Sequence, residues 1–100
     1  MKIIAVTACP TGIAHTYMAA DELRKEAQKH GLAIKVETQG AMGIESMLTA
    51  KDIAHCDLVL IASDIEIEQA ERFIHCKIKK TSIEAVLTDV SAVIAACLKA

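Results

Sequence analysis

A chain of 100 residues, 53% of them hydrophobic, is long enough to bury one core of its own without disulfides or metals. One Phe, one Tyr and no Trp leave that core to Ile, Leu, Val and Ala, which suits a sheet buried under helices. A net charge of −2 gives no electrostatic footprint for nucleic acid, and the short basic run Lys77-Ile78-Lys79-Lys80 reads as a solvated strand edge. No apolar run approaches the roughly 20 residues that span a bilayer. Lys2 is followed by only four apolar residues before Thr7, which is not the layout of a signal peptide, so the expectation is a soluble cytoplasmic domain covering residues 1–100. Cys9, Cys56, Cys76 and Cys97 lie far apart with no CxxC pair, which argues against a disulfide framework in a reducing compartment.

Taken in order, the chain alternates strands and helices. Lys2 to Ala8 is nearly continuous in apolar character and predicts a central parallel strand covered on both faces. A helix follows over about Thr16–His30, with Ala20, Leu23 and Ala27 on its apolar stripe and Asp21, Glu22, Arg24, Lys25 and Lys29 toward water. Gly31 stands where a left-handed C-cap ends it. Leu32 to Gln39 alternates with period two and predicts a half-buried edge strand, leading into a glycine-bearing loop, Gly40-Ala41-Met42-Gly43. Thr49 with Asp52 is a capping-box signature for a short helix over Ala50–His55.

The unbroken Leu58-Val59-Leu60-Ile61-Ala62 predicts a second central strand over Asp57–Ser63. Asp64 through Arg72 reads as a loop with a helical turn, and a short fourth strand is placed within Phe73–Lys80. Val90, Val93, Ile94, Cys97 and Leu98 predict a last helix over about Asp89–Leu98, with Ser82–Leu87 as a short helix before it. The sum is an α/β domain: a Rossmann-like open parallel sheet of four strands in the order 2-1-3-4, with helices on both faces. In such a sheet a ligand belongs at the carboxyl ends of the first and third strands, where the order switches.

Cys9-Pro10-Thr11-Gly12-Ile13-Ala14-His15-Thr16 occupies that position. A strand, a tight polar loop and a helix start form an anion site, because the helix N-terminus carries unpaired N–H groups and partial positive charge. A cysteine placed first in such a loop becomes acidic and nucleophilic as the thiolate. The segment is neither a Walker A loop nor a GxGxxG turn. It is closer to the Cys-x5-Arg-Ser/Thr loop of cysteine phosphatases, with His15 at the arginine position and Thr16 after it. A lone imidazole does not copy the bidentate fork of arginine. The only proline, Pro10, leaves no Asp-Pro loop to supply a general acid. The loop is therefore suited to holding a phosphorylated thiol rather than hydrolysing one.

Cys9-Pro-Thr-Gly-Ile-Ala-His-Thr-Tyr-Met-Ala-Ala20, with Val36-Glu-Thr-Gln-Gly40 and Gly43, resembles the fructose-type IIB component of the bacterial phosphoenolpyruvate-dependent sugar phosphotransferase system. The likeness continues through Leu48–Ile53, Ala62, Asp64-Ile65 and Glu71-Arg72-Phe73, covering about Lys2 to Phe73. His75-Cys76-Lys77 and Lys79-Lys80 depart from the family's usual Gly-Lys-Pro and more apolar strand. The resemblance implies that Cys9 takes a phosphoryl group from a phosphohistidine of a IIA partner and passes it to a sugar held by a membrane-embedded IIC partner. That would bring the domain to the inner face of the membrane. It also implies that Pro10, Thr11, Gly12, Ile13, Ala14, His15 and Thr16 wrap the phosphate, with no cofactor or metal. His15 either donates to the phosphate or holds the loop, and Thr11 or Thr16 caps the helix, binds phosphate, or does both. A cysteine-dependent phosphatase or reductase, and a phosphorylation-sensing regulatory domain, are the alternatives.

Thr38 and Gly40 read as a plain strand-to-loop turn, and Glu66, Glu68 and Glu71 as a solvated face. His55-Cys56 and His75-Cys76 read as strand neighbours pointing to opposite faces, which do not chelate a metal. Cys97 falls on the apolar stripe of the last helix and is expected in the core.

Overall fold

The structure, a computed structural model, describes residues 1–9 and 13–99, and of Ile13 the backbone only. β1 (Lys2–Ala8) is followed by α1 (Ile13–Lys29), β2 (Ala33–Gly40), β3 (Gly43–Glu45), α2 (Ala50–His55), β4 (Leu58–Ser63), a 3-10 turn (Ala70–Phe73), β5 (Ile78–Thr81) and α3 (Ile83–Lys99). The strands form one sheet in the order β3-β2-β1-β4-β5. β2, β1, β4 and β5 run parallel, which is the expected four-strand order. A fifth strand, β3, begins within the stretch expected as a loop. It pairs antiparallel with β2 through Thr38↔Glu45, Gln39↔Ile44 and Gly40↔Gly43, making the sheet mixed and moving β2 off the edge. Three residues carry too little periodicity to announce a strand; the turn that folds them back does so through Gly43, whose φ of 86° suits glycine.

β1 alternates strictly between two cores. Ile3 and Ala5 join a cluster with Ala19, Ala20 and Leu23 of α1 and Val86, Ile94 and Cys97 of α3; Ile4, Val6 and Ala8 join one with Leu48, Ile67 and Phe73. Complete burial of Ile3, Ile4 and Val6 contributes about 1.5–3 kcal/mol per side chain, which fixes the register of the strand that carries Cys9. α1 ends at Gly31 (φ 66°), as its cap predicts. α2 has the complete capping box: the Asp52 amide donates to Thr49 Oγ1 (3.1 Å) and the Thr49 amide to Asp52 Oδ2 (3.0 Å).

The fourth parallel strand occupies the end of the expected stretch and runs one residue past it, Ile78 to Thr81, because Phe73 is fully buried as the end of the 3-10 turn. β5 is an edge strand on which Lys79 and Lys80 take alternate positions, so lysine guards the open side. The two short helices read from the sequence near the C-terminus merge into α3, but Asp89 is non-helical (φ −153°, ψ 70°) and breaks it where the reading divided it. Ser82 Oγ accepts from the Ala85 amide (3.0 Å) and Asp89 Oδ1 from the Ala92 amide (3.1 Å), so each half has its own start. No helix among the described residues is long and apolar enough to cross a membrane.

Candidate phosphoryl-transfer site

Cys9 lies one residue beyond the point where Ala8 pairs with Gln39 of β2 and Ser63 of β4. The chain moves from β1 outward to β2 and then back across to β4, so this is where the strand order switches. Cys9 is half-buried, and its amide donates to the Gln39 carbonyl (3.3 Å), extending the β1–β2 ladder through the cysteine itself. α1 opens four residues later with no acidic residue in its first turn, so the partial positive charge of that N-terminus is left for an anion.

The expected loop residues separate on inspection. Pro10, Thr11 and Gly12 lie outside the described residues, as does the Ile13 side chain. Ile13, Ala14, His15 and Thr16 belong to the first turn of α1 rather than to a loop, three residues before the helix start read from the sequence. Ala14 and His15 are exposed. Thr16 is buried, and its carbonyl accepts from Thr7 Oγ1 (3.1 Å), a bond that ties the helix start to β1 just ahead of Cys9.

Cys9 lines two clefts. One, of about 180 Å³, is walled by Ala8, Gln39, Gly40, Ala41, Gly43, Ile65, Glu66 and Glu68. The other, of about 320 Å³, is shared with His15, Asp64 and the first half of α3 through Ile83, Glu84, Leu87 and Thr88. Tyr17 on the second turn of α1 donates its hydroxyl to Glu45 of β3, linking the helix to the outer strand.

The wall formed by residues 64–73 is held by a network that sequence reasoning missed. Glu37 points from β2 to the α2 side of the sheet and is completely buried. Arg72 reaches it with two parallel bonds, Nη1 to Oε1 and Nη2 to Oε2, both 2.9 Å, while its Nε donates to the Gln69 carbonyl (2.8 Å) and its guanidinium sits 4.7 Å from the Phe73 ring centroid. The Leu48 amide and Gln39 Nε2 also donate to Glu37. Burial pushes the Glu37 carboxyl up, but the bonds from Arg72, Gln39 and Leu48 outweigh it and hold it below the ordinary carboxylate range. Gln39 grips Glu68 at two points, accepting from its amide (2.8 Å) and donating to its carbonyl (3.0 Å). The residue whose carbonyl receives the Cys9 amide thus also fixes the opposite wall of the cleft.

Thr38 is buried within β2; Glu66, Glu68 and Glu71 are exposed. Cys97 is buried. Cys56 is the C-cap of α2 and Cys76 lies in the turn before β5, so neither occupies a strand as the sequence reading assumed. No group of three His, Cys, Asp or Glu that can hold a metal ion occurs among the described residues.

A family model described as "PTS system, Lactose/Cellobiose specific IIB subunit" matches residues 4–96. The chain belongs to the IIB family of the phosphotransferase system. Within it, the "PTS system fructose-like EIIB component 2" of Escherichia coli strain K12 is 57% identical over 72 residues, 72% of this chain and 68% of that protein. The "PTS system fructose-specific EIIB'BC component" of Rhodobacter capsulatus is 45% identical over 98% of this chain, but only 17% of that much longer protein. The crystal structure of a predicted fructose-specific IIB from Escherichia coli superimposes with a TM-score of 0.90 at 44% identity, covering 95% of this chain and 84% of that one. The resemblance to fructose-type IIB proteins therefore extends past Phe73 to nearly the whole chain.

Proposed function

We propose that this IIB domain carries a phosphoryl group on Cys9, received from a phosphohistidine of a IIA partner and delivered to a fructose-like sugar held by a membrane-embedded IIC partner. The observation that carries the reading is the place of Cys9: a half-buried thiol at the strand-order switch, below the N-terminus of α1 and open to a cleft on either side. In the first step the Cys9 thiolate attacks phosphorus, an S–P bond forms and the N–P bond breaks, and the leaving imidazole nitrogen takes up a proton. In the second, a sugar hydroxyl attacks the same phosphorus, gives its proton to base, and the S–P bond breaks to return the thiolate.

A helix N-terminus stabilises the thiolate both as attacker and as leaving group, which a relay needs in both directions. Amide donors at the α1 start supply the charge stabilisation that phosphoryl transfer asks of a protein. A hydrolytic reading finds no support in the arginines. Arg72 is committed to Glu37 and Arg24 to Asp21, and neither lines a cleft beside Cys9. Asp64, Glu66, Glu68 and Glu84 around the two clefts oppose prolonged retention of a free phosphate dianion, again as a relay requires.

The test is incubation with phosphoenolpyruvate, the general components of the system and a IIA protein. Intact mass should rise by one phosphoryl group, the adduct should show the lability of a thiophosphate, and it should vanish in Cys9→Ser. Addition of membranes bearing a fructose-type IIC should discharge it onto sugar. An adduct persisting in Cys9→Ser would refute the assignment.

A further inference from the structure

At the opposite end of the sheet from Cys9, two more cysteines meet. Cys56 ends α2 just ahead of β4, and Cys76 lies just ahead of β5. β4 and β5 are neighbours, paired Val59↔Ile78, and the ladder continues one step further as the Val59 amide donates to the Lys77 carbonyl (2.9 Å). Carried back from Val59↔Ile78, the register sets Cys76 opposite Asp57, one residue along from Cys56; with strands about 4.8 Å apart and a rise of about 3.3 Å per residue, the two Cα atoms fall roughly 6 Å apart, within the range of about 4.4–6.8 Å that a disulfide accepts. Both side chains are half-buried and pack against the cluster around Phe73, with the Cys56 thiol donating to the Ile53 carbonyl (3.2 Å) and lying close enough to Cys76 for each to bear on the other's ionisation. Each backbone is anchored separately: the Asp57 amide donates to the Lys2 carbonyl (2.8 Å) and the Cys76 amide to the Phe73 carbonyl (2.9 Å).

We infer that Cys56 and Cys76 form a dithiol modification site that closes to an intramolecular disulfide on reaction with a low-molecular-weight disulfide. The Cys76 thiolate attacks one sulfur of that reagent, forming a mixed disulfide and releasing one small thiolate. Cys56, its proton lost to solvent, then attacks the Cys76 sulfur, and the second small thiolate leaves. In balance, two protein thiols and one small disulfide become one protein disulfide and two small thiols. The order follows from the surroundings: burial, the neighbouring Cys76 and Asp57 all push the Cys56 thiol up, leaving it as the resolving partner. The bond would fasten the turn after Phe73 to the end of α2, far along the chain, and so restrict the unfolded chain more than a local link does.

The experiment exposes Cys9→Ser protein, with three thiols, and the unaltered chain, with four, to oxidised glutathione. In Cys9→Ser the thiol count should fall from three to one, the intact mass should drop by two hydrogens, and proteolysis without reductant should yield a Cys56–Cys76 linked peptide. The unaltered chain should yield the same peptide. The linked form should melt at higher temperature than the reduced form, and Cys56→Ala or Cys76→Ala should instead hold glutathione on the remaining partner. Separate glutathione adducts on both cysteines of Cys9→Ser, a link to Cys97, or an unchanged thiol count would each overturn the inference. Peptide mapping of the unmutated pair decides it whether or not the alanine variants fold.

Discussion

On the face covered by α1 and α3, the sheet offers Ile3, Ala5, Val36, Leu58, Leu60 and Ala62 to Leu23, Val86 and Ile94, an interior of hydrocarbon apart from the Cys97 thiol and, toward the Cys9 end, Thr7 and Thr38. On the other face, Ile4, Val6, Val59 and Ile61 are equally apolar, but β2 contributes Lys35, Glu37 and Gln39, each tied to a partner on a different segment. Hydrocarbon packing is non-directional and tolerates exchange of like for like. The polar face is directional: Glu37 accepts two bonds from one arginine, and Gln39 fits one peptide unit. The first face holds the sheet together; the second decides where residues 64–73 stand relative to Cys9.

The largest break in that contrast should come from Arg72→Ala. Removing the fork leaves Glu37 buried with two of its bonds gone, a loss of about 3–5 kcal/mol in chemical unfolding. Replacing Glu37 and Arg72 together by Leu and Met should recover much of that stability, yet phosphorylation at Cys9 should stay slow because the cleft wall is no longer placed. Recovery of both together would show that the pair serves stability only. Ile94→Ala, on the hydrocarbon face, should cost about 2–4 kcal/mol while the folded fraction accepts phosphate at the unaltered rate.

Acid should separate the faces more gently. Glu37 sits below its ordinary range, and Asp52, held first by the Thr49 amide and then by Thr49 Oγ1 and Lys35 against the cost of burial, lies at about 2. A depressed carboxylate contributes stability that is complete above its unfolded pKa and is lost as pH falls through the folded one. The urea midpoint should therefore decline from about pH 4 toward pH 2, and Asp52→Asn should flatten that decline. An equally steep decline in Asp52→Asn would assign the acid sensitivity elsewhere. Smallest is Thr49→Ala, which removes one half of the capping box and should cost about 1 kcal/mol in thermal unfolding with no effect on Cys9.

What the sequence made legible was whatever repeats with a regular period or follows a local rule. The unbroken apolar run of β1, the stripe of α1 with Gly31 behind it, the Thr49–Asp52 box and the division of α3 near Asp89 are all of this kind. They sufficed to put Cys9 at the switch point. β3 escaped because it exists only by pairing with β2; the spacing of Gly40 and Gly43 was its one local mark. Glu37 escaped because its meaning lies in Arg72, and period-two alternation alone assigned it to water. The first turn of α1 was read as loop because helix propensity does not say where a cap falls.

The break at Asp89 divides α3 into two pieces with different duties. Ile83, Glu84, Leu87 and Thr88 of the first piece wall the cleft beside Cys9 while Ile83 and Val86 reach the core, whereas Ile94 and Cys97 of the second only seal the core, and each piece begins at its own cap. A rigid helix would carry any change at Glu84 or Leu87 down to Ile94. An interrupted one insulates them, so exposed cleft-facing positions such as Glu84 and Thr88 are open to change in sequence while the packing around Ile94 stays as it is.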